Sequence, residues 1–162
     1  ITTVVKLYNG VFMKQITNFF ILVGVVSFTS LSQAACSFDV EVGDYLKFST
    51  PDMAVEKSCE SITVNLKHSG KLPANIMGHN WVLSADADVQ ALATEGMSAG
   101  LVSNYVTPGD ARVLAASSVI GGGESTSVTF STAGLVSGDA YTFFCSFPGH
   151  SYSMRGALTV SP

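Results

Sequence analysis

Short runs in which apolar and polar residues alternate strictly recur along this chain, and they limit its fold more than any other feature. The clearest are "SFDVEV" at 37–42, "SITVNLK" at 61–67 and "STSVTFS" at 125–131. A period of two sets one face of a strand against a core and the other in water. Further strands are expected from "YLKFS" at 45–49, "HNWVLS" at 79–84, "RVLAA" at 112–116, "AYTFFCS" at 140–146 and "RGALTV" at 155–160. Turn signals such as "HSG", "TPGD", "GGGE" and "SGD" separate the runs. Many short strands so spaced predict an all-β antiparallel sandwich or barrel. One segment departs from the pattern. In "SADADVQALATEGM", Val89, Leu92, Ala93 and Met97 follow helical spacing, with Ser84 or Asp86 as N-cap and Gly96 near the stop. A single short helix in such a domain is expected to lie outside the sandwich, as a flap over the core.

The N-terminal segment differs in composition from everything after it. Residues 19–28, "FFILVGVVSF", are almost wholly apolar, follow Lys14 and precede the small residues of "TSLSQA". That is the layout of a secretory signal, and the apolar run is well under the roughly 20 residues a membrane span needs. Translation is expected to start at Met13 and cleavage to follow Ala34, with Ser32 as the other small residue that the peptidase reads. The remaining residues, 35–162, are the size of one domain and hold no repeat or dividing linker. Removing Lys6 and Lys14 takes the formal net charge from −4 to −6. The absence of a Lys/Arg run argues against nucleic acid as a partner. Charged residues make up only 12% of the chain, which leaves room for an apolar docking face.

Three cysteines in an exported chain leave one without a partner when two pair in an oxidising compartment. Cys36 and Cys59 lie near the start of the mature segment, each beside a strand-like run, and are the natural pair. Cys145 is left over, and it opens "CSFPGHSYSM". His150 follows it by five residues across a turn at Pro148 and Gly149, and Met154 follows His150 by four. One loop can therefore aim a thiol, an imidazole and a thioether at a common point. A second imidazole has to come from elsewhere in the fold, and His79, which opens an apolar run, is the candidate. Two histidines, a cysteine and a weak axial methionine form the ligand set of a type 1, or blue, copper site. Thiolate and thioether suit Cu(I), imidazole suits both oxidation states, and a site acceptable to both rearranges little when an electron moves. Structural zinc also takes Cys and His, but it gains little from a thioether, so Met154 favours copper.

On these residues the chain resembles the azurins, a bacterial family within the cupredoxins. The resemblance spans the whole mature segment, through "ACSFDV", "KSCESITVNLKHSGKLPANIMGHNWVLS", "EGMSAGL" and "YTFFCSFPGHSYSMRGALTV". The three residues between His150 and Met154 also match azurins. It implies a Greek-key β-sandwich or barrel of the cupredoxin type with one short helical flap, and a Cys36–Cys59 disulfide. It implies His79, Cys145 and His150 as strong copper ligands, with Met154 and the Gly78 backbone carbonyl as distant axial contacts. Asn80 matches the residue that ties the two ligand segments together, and Phe147 lies beside it in the surrounding shell. Trp81 is expected to pack in the core. Leu46, Leu72, Ile76, Met77, Met97, Phe147, Pro148 and Gly149 are implied as an apolar docking ring around His150. His68 matches a histidine near the site that does not ligate and that could couple protonation to potential, with Ser69 where some azurins have proline.

The implied function is a periplasmic electron carrier, a monomer forming transient complexes with c-type cytochromes or nitrite reductases, and not an enzyme. Copper storage or delivery without redox exchange is the alternative. A multicopper oxidase needs paired histidines for further copper ions, and three histidines in the chain, with Phe144 and Ser146 flanking Cys145, are too few.

Overall fold

The computed structural model describes residues 36–162, and the expected signal segment and its cleavage point lie outside the described residues. β1 (Ser37–Val42), β3 (Ser61–His68) and β6 (Ser125–Ser131) form a three-stranded sheet in the order β1-β3-β6, with β1 parallel and β6 antiparallel to β3. The second sheet has five strands. β2 (Asp52–Glu56), β8 (Arg155–Ser161), β7 (Tyr141–Phe144), β4 (Val82–Ala85) and β5 (Ala115–Ala116) follow one another in that order across it. β2 runs parallel to β8, and the other neighbours are antiparallel.

The alternating runs behave as their period requires. Val40 and Val42 from β1, Ile62, Val64 and Leu66 from β3, and Leu158 and Val160 from β8 all point into one core between the sheets. Each such side chain, fully buried, contributes roughly 1.5–3 kcal/mol relative to exposure. Trp81 bridges the two sheets, its ring stacked on Phe130 at 5.7 Å and on Phe143 at 5.6 Å. This is the packing role expected of it. Its indole Nε1 is the one buried side-chain nitrogen or oxygen without a hydrogen-bond partner among the described residues.

β7 does not alternate, because both of its faces are covered. Phe143 enters the main core, whereas Phe144 joins Val82, Val89, Leu92 and Ala93 in a second apolar cluster. Helix α2 (Val89–Ala99) builds that cluster, so the flap lies on the outer face of the five-stranded sheet. Its ends differ from expectation. Ser84 is in β4, and Asp86 starts a 3-10 turn, Asp86–Asp88. Asp88 holds the N-cap position, without a side-chain cap bond, while Asp86 Oδ1 accepts from Thr142 Oγ1 at 2.7 Å and Arg155 Nη2 at 3.1 Å. The helix stops at Gly100, whose φ of 71° suits glycine. Gly96 is internal, where a Cβ would lie 2.1 Å from the Tyr105 carbonyl oxygen. Met97 is exposed, outside the apolar cluster.

Residues 45–49 are not a strand, contrary to their alternation. They cross between the sheets, with only an isolated Gly43–Tyr45 bridge, and Asp44 turns aside to accept from the backbone N–H groups of Lys71 and Leu72. β2, which follows Pro51, was not expected. No helix among the described residues is long and apolar enough to cross a membrane.

Candidate metal centre

Two stretches of backbone carry the three donors. Helix α1 (Ala74–Met77) ends at Gly78, where a Cβ would sit 2.2 Å from the Ala74 carbonyl oxygen, so only glycine lets the chain fold back here. His79 follows at once and exchanges both backbone hydrogen bonds with Ile120, at 3.0 and 2.9 Å. Cys145 directly follows β7, and its N–H donates to the Met154 carbonyl at 3.0 Å. The Met154 N–H donates to the His150 carbonyl at 2.9 Å, and Gly149 makes the turn with φ 82°. The loop from Cys145 to Met154 is thus closed by its own backbone.

The side chains of His79, Cys145 and His150 are all buried, with their ligating atoms within 4.8 Å of one another. Cys145 Sγ lies 3.8 Å from His79 Nδ1 and 3.6 Å from His150 Nδ1. Bond lengths of about 2.3 Å to thiolate and about 2.0 Å to imidazole around one trigonal metal would leave sulfur and nitrogen about 3.7 Å apart. The donor set therefore fits a metal ion without rearrangement. Cys36 and Cys59 form a disulfide, and Cys145 is free.

Protonation is arranged by neighbouring groups. His79 Nε2 lies 2.8 Å from the Gly43 carbonyl, which can only accept, so the ring proton is on Nε2 and the Nδ1 lone pair faces the cluster. Burial lowers the His79 pKa, partly offset by that bond. Burial, with a smaller contribution from His79, lowers His150 to about 4. Burial pushes the Cys145 thiol up to about 12, against the opposing pull of hydrogen bonds from the Asn80 and Phe147 backbone. His68 is also buried and stacks on His79 with ring centroids 5.1 Å apart. It has no nitrogen to spare for a metal: Nε2 donates to the Met77 carbonyl at 3.0 Å, and Nδ1 accepts from the Gly70 N–H at 3.0 Å.

Asn80 links the two ligand stretches. Its Oδ1 accepts from the Ser146 N–H at 2.9 Å, and its Nδ2 donates to Ser146 Oγ and to the Asn104 carbonyl, both at 2.8 Å. Phe147 packs its ring on His150 at 4.6 Å. Met154 is fully buried where the loop returns, and Gly78 is buried next to His79. Of the expected docking residues, Leu46, Leu72, Ile76, Met97, Pro148 and Gly149 are exposed, while Met77 and Phe147 are half-buried. Ser146, Gly43 and Asn104 were not foreseen. Asn104 gave only the weak signal of an asparagine in a loop, a residue that tolerates left-handed backbone.

Comparison with known proteins agrees with this geometry. The profile of a family described as copper binding proteins, plastocyanin/azurin family, matches residues 34–161. An azurin of Pseudomonas denitrificans is 55% identical over 127 residues, covering 78% of this chain and 99% of that protein. An azurin of Bordetella pertussis is likewise 55% identical over 127 residues, covering 78% of this chain and 85% of that protein. Among solved structures, the azurin Az-iso2 of Methylomonas sp. strain J superposes with a TM-score of 0.77 at 49% identity, covering 80% of this chain and all of its own. The chain belongs to the plastocyanin/azurin family of copper-binding proteins, with the cupredoxin fold, copper as its cofactor and the character of a blue-copper electron carrier.

Proposed function

We propose that translation starts at Met13, that the segment from there to Ala34 directs export to the periplasm, and that residues 35–162 are the mature protein. It shuttles single electrons between redox proteins that dock around His150. The observation that carries this reading is the convergence of three donors within 4.8 Å, all buried, beside an exposed apolar turn. His79, Cys145 and His150 would hold the metal, with Met154 and the Gly78 carbonyl as weaker contacts. Copper, when bound, supplies a one-electron Cu(II)/Cu(I) exchange that thiolate, thioether and imidazole donors together tolerate.

The chain's own residues make that exchange easy. Gly43 fixes the His79 ring, Asn80 locks the two ligand stretches, and the closed loop holds His150, so little moves on either side of electron transfer. Burial of Cys145 keeps water from the thiolate. His150 retains 5% exposure next to the exposed Pro148 and Gly149, so it is the donor that offers a route from the centre to a docked partner. The apolar residues Leu46, Leu72, Ile76, Met77, Met97, Pro148 and Gly149 form the docking surface, and methionines let it adapt to more than one partner. Those partners are c-type cytochromes and nitrite reductases, met by a monomer in transient complexes. The disulfide supports an oxidising compartment.

Met77→Lys and Met97→Lys should slow electron exchange with a c-type cytochrome while leaving the visible absorption of the Cu(II) form intact. Unchanged kinetics in both would remove the docking surface. Rapid reversible oxidation by the cytochrome separates this reading from copper storage, which predicts tight binding without exchange. Mass spectrometry of the exported protein should place its N-terminus at Ala35, and retention of the preceding segment would contradict the export reading.

A further inference from the structure

We propose that Asn104 and Tyr105 are positioning residues, forming a brace that sets the His79, Cys145 and His150 donors from outside the ligand loop before any metal arrives. The inference rests on the copper reading above. These two neighbours are the non-glycine residues with positive φ among the described residues, at 55° and 52°. Asn tolerates left-handed backbone better than most residues, whereas it is an outlier for a bulky residue such as Tyr. Such conformations persist where the surroundings over-determine them, and they cluster at functional sites.

Each residue delivers its contacts to a different side of the centre. The Asn104 carbonyl accepts from Asn80 Nδ2 at 2.8 Å and from Ser146 Oγ at 3.3 Å, and Asn104 Oδ1 accepts from the Val119 N–H at 2.8 Å. Asn80 adjoins His79, Ser146 adjoins Cys145, and Val119 precedes Ile120, the backbone partner of His79. All three bonds thus end one residue from a ligand or from a ligand's partner. The Tyr105 ring stands edge-on to Phe147 at 5.2 Å, and Phe147 in turn packs on His150. The brace stands on helix α2. The Tyr105 N–H donates to the Gly100 carbonyl at 2.9 Å, and its own carbonyl fills the space left free at Gly96. The flap thereby becomes the footing for the metal centre as well as the cover of an apolar cluster.

The test compares Asn104→Val, which cannot hold the left-handed backbone or accept from Val119, with Asn104→Asp, which keeps both abilities. In the Cu(II) form, the valine variant should shift the thiolate-to-copper absorption band and the midpoint potential, and the aspartate variant should restore both. In the metal-free form, a thiol reagent should label Cys145 of the valine variant at least about tenfold faster than that variant's own global unfolding allows, the signature of local opening. A valine variant that is merely less stable, with band, potential and labelling unchanged, would overturn the proposal. If Asn104→Val does not fold, Asn104→Gly carries the test, since it keeps the backbone and loses only the Val119 bond. Intermediate labelling supports the brace, and wild-type labelling and band overturn it. Tyr105→Leu should move the potential, and no movement removes Tyr105 from the brace. Wild-type protein that takes up no copper would defeat the copper reading instead, and the metal-free labelling rates would still decide the brace.

Discussion

Metal uptake should release one proton near neutral pH, and that proton should come from Cys145. Burial moves this thiol from its ordinary 9.0 to about 12, which opposes the thiolate by roughly 4 kcal/mol. Metal must displace this proton to bind. At and above neutrality the imidazoles add little to this: His150 is lowered to about 4, and burial lowers His79 from its ordinary 6.5, with its Nδ1 lone pair facing the cluster. The sign follows from competition. Raising the pH removes the competing proton, so the apparent association constant should rise about tenfold, or about 1.4 kcal/mol, per pH unit. From about pH 7 to 9 the gain is roughly 100-fold. Below about pH 4 the slope should steepen, because His150 then takes up a proton that metal must also displace. Zn²⁺ is a suitable redox-inert probe, titrated against a chelator across this range, with protons counted by calorimetry in buffers of different ionisation heat. Cys145→Ser should flatten the dependence. A wild-type slope near zero above pH 7 would show a thiol already ionised, and a slope near two would show a histidine charged at neutrality. Either result would refute the reasoning.

Further consequences can be measured on stability. Replacing Cys36 and Cys59 by alanine opens a link across a sequence separation of 23 and should cost about 3 kcal/mol in urea unfolding, while the visible absorption of the Cu(II) form stays unchanged. Asp44 accepts two backbone N–H groups, and these bonds, Lys71 first, lower its pKa below 3.8. Its stabilisation is present above the unfolded-state pKa and fades as pH falls through the folded-state value, so Asp44→Asn should flatten the acid limb of the stability profile. Coincident acid limbs would contradict this. Asn80→Leu removes three hydrogen bonds, two of them buried, and should lower stability by about 3 kcal/mol, a change that thermal unfolding would detect.

The sequence was most informative where one physical demand acted alone. β1 and β6 match their alternating runs end to end, because one face of each meets the core and the other meets water. "AYTFFCS" does not alternate, since α2 covers the face that would otherwise be wet. At 45–49 the alternation misled, because Asp44 accepts hydrogen bonds from the backbone N–H groups of a distant loop, Lys71 and Leu72, and diverts the backbone. β2 escaped notice as a five-residue strand directly after a proline. The cluster of His79, Cys145 and His150 was legible because copper selects thiolate and imidazole donors, which only a few side chains supply. Asn104 was not, because it acts through a backbone carbonyl that every residue possesses. Gly43 was missed for the same reason.

The central claim is that Cys145, held between His79 and His150, is the thiolate ligand of one copper ion. Visible absorption of the purified protein with one equivalent of Cu(II) tests it most directly. The account predicts an intense thiolate-to-copper band that disappears in Cys145→Ser and persists when Cys36 and Cys59 are replaced. A Cys145→Ser protein that keeps the band, or a wild-type protein that binds Cu(II) without developing it, would contradict the account.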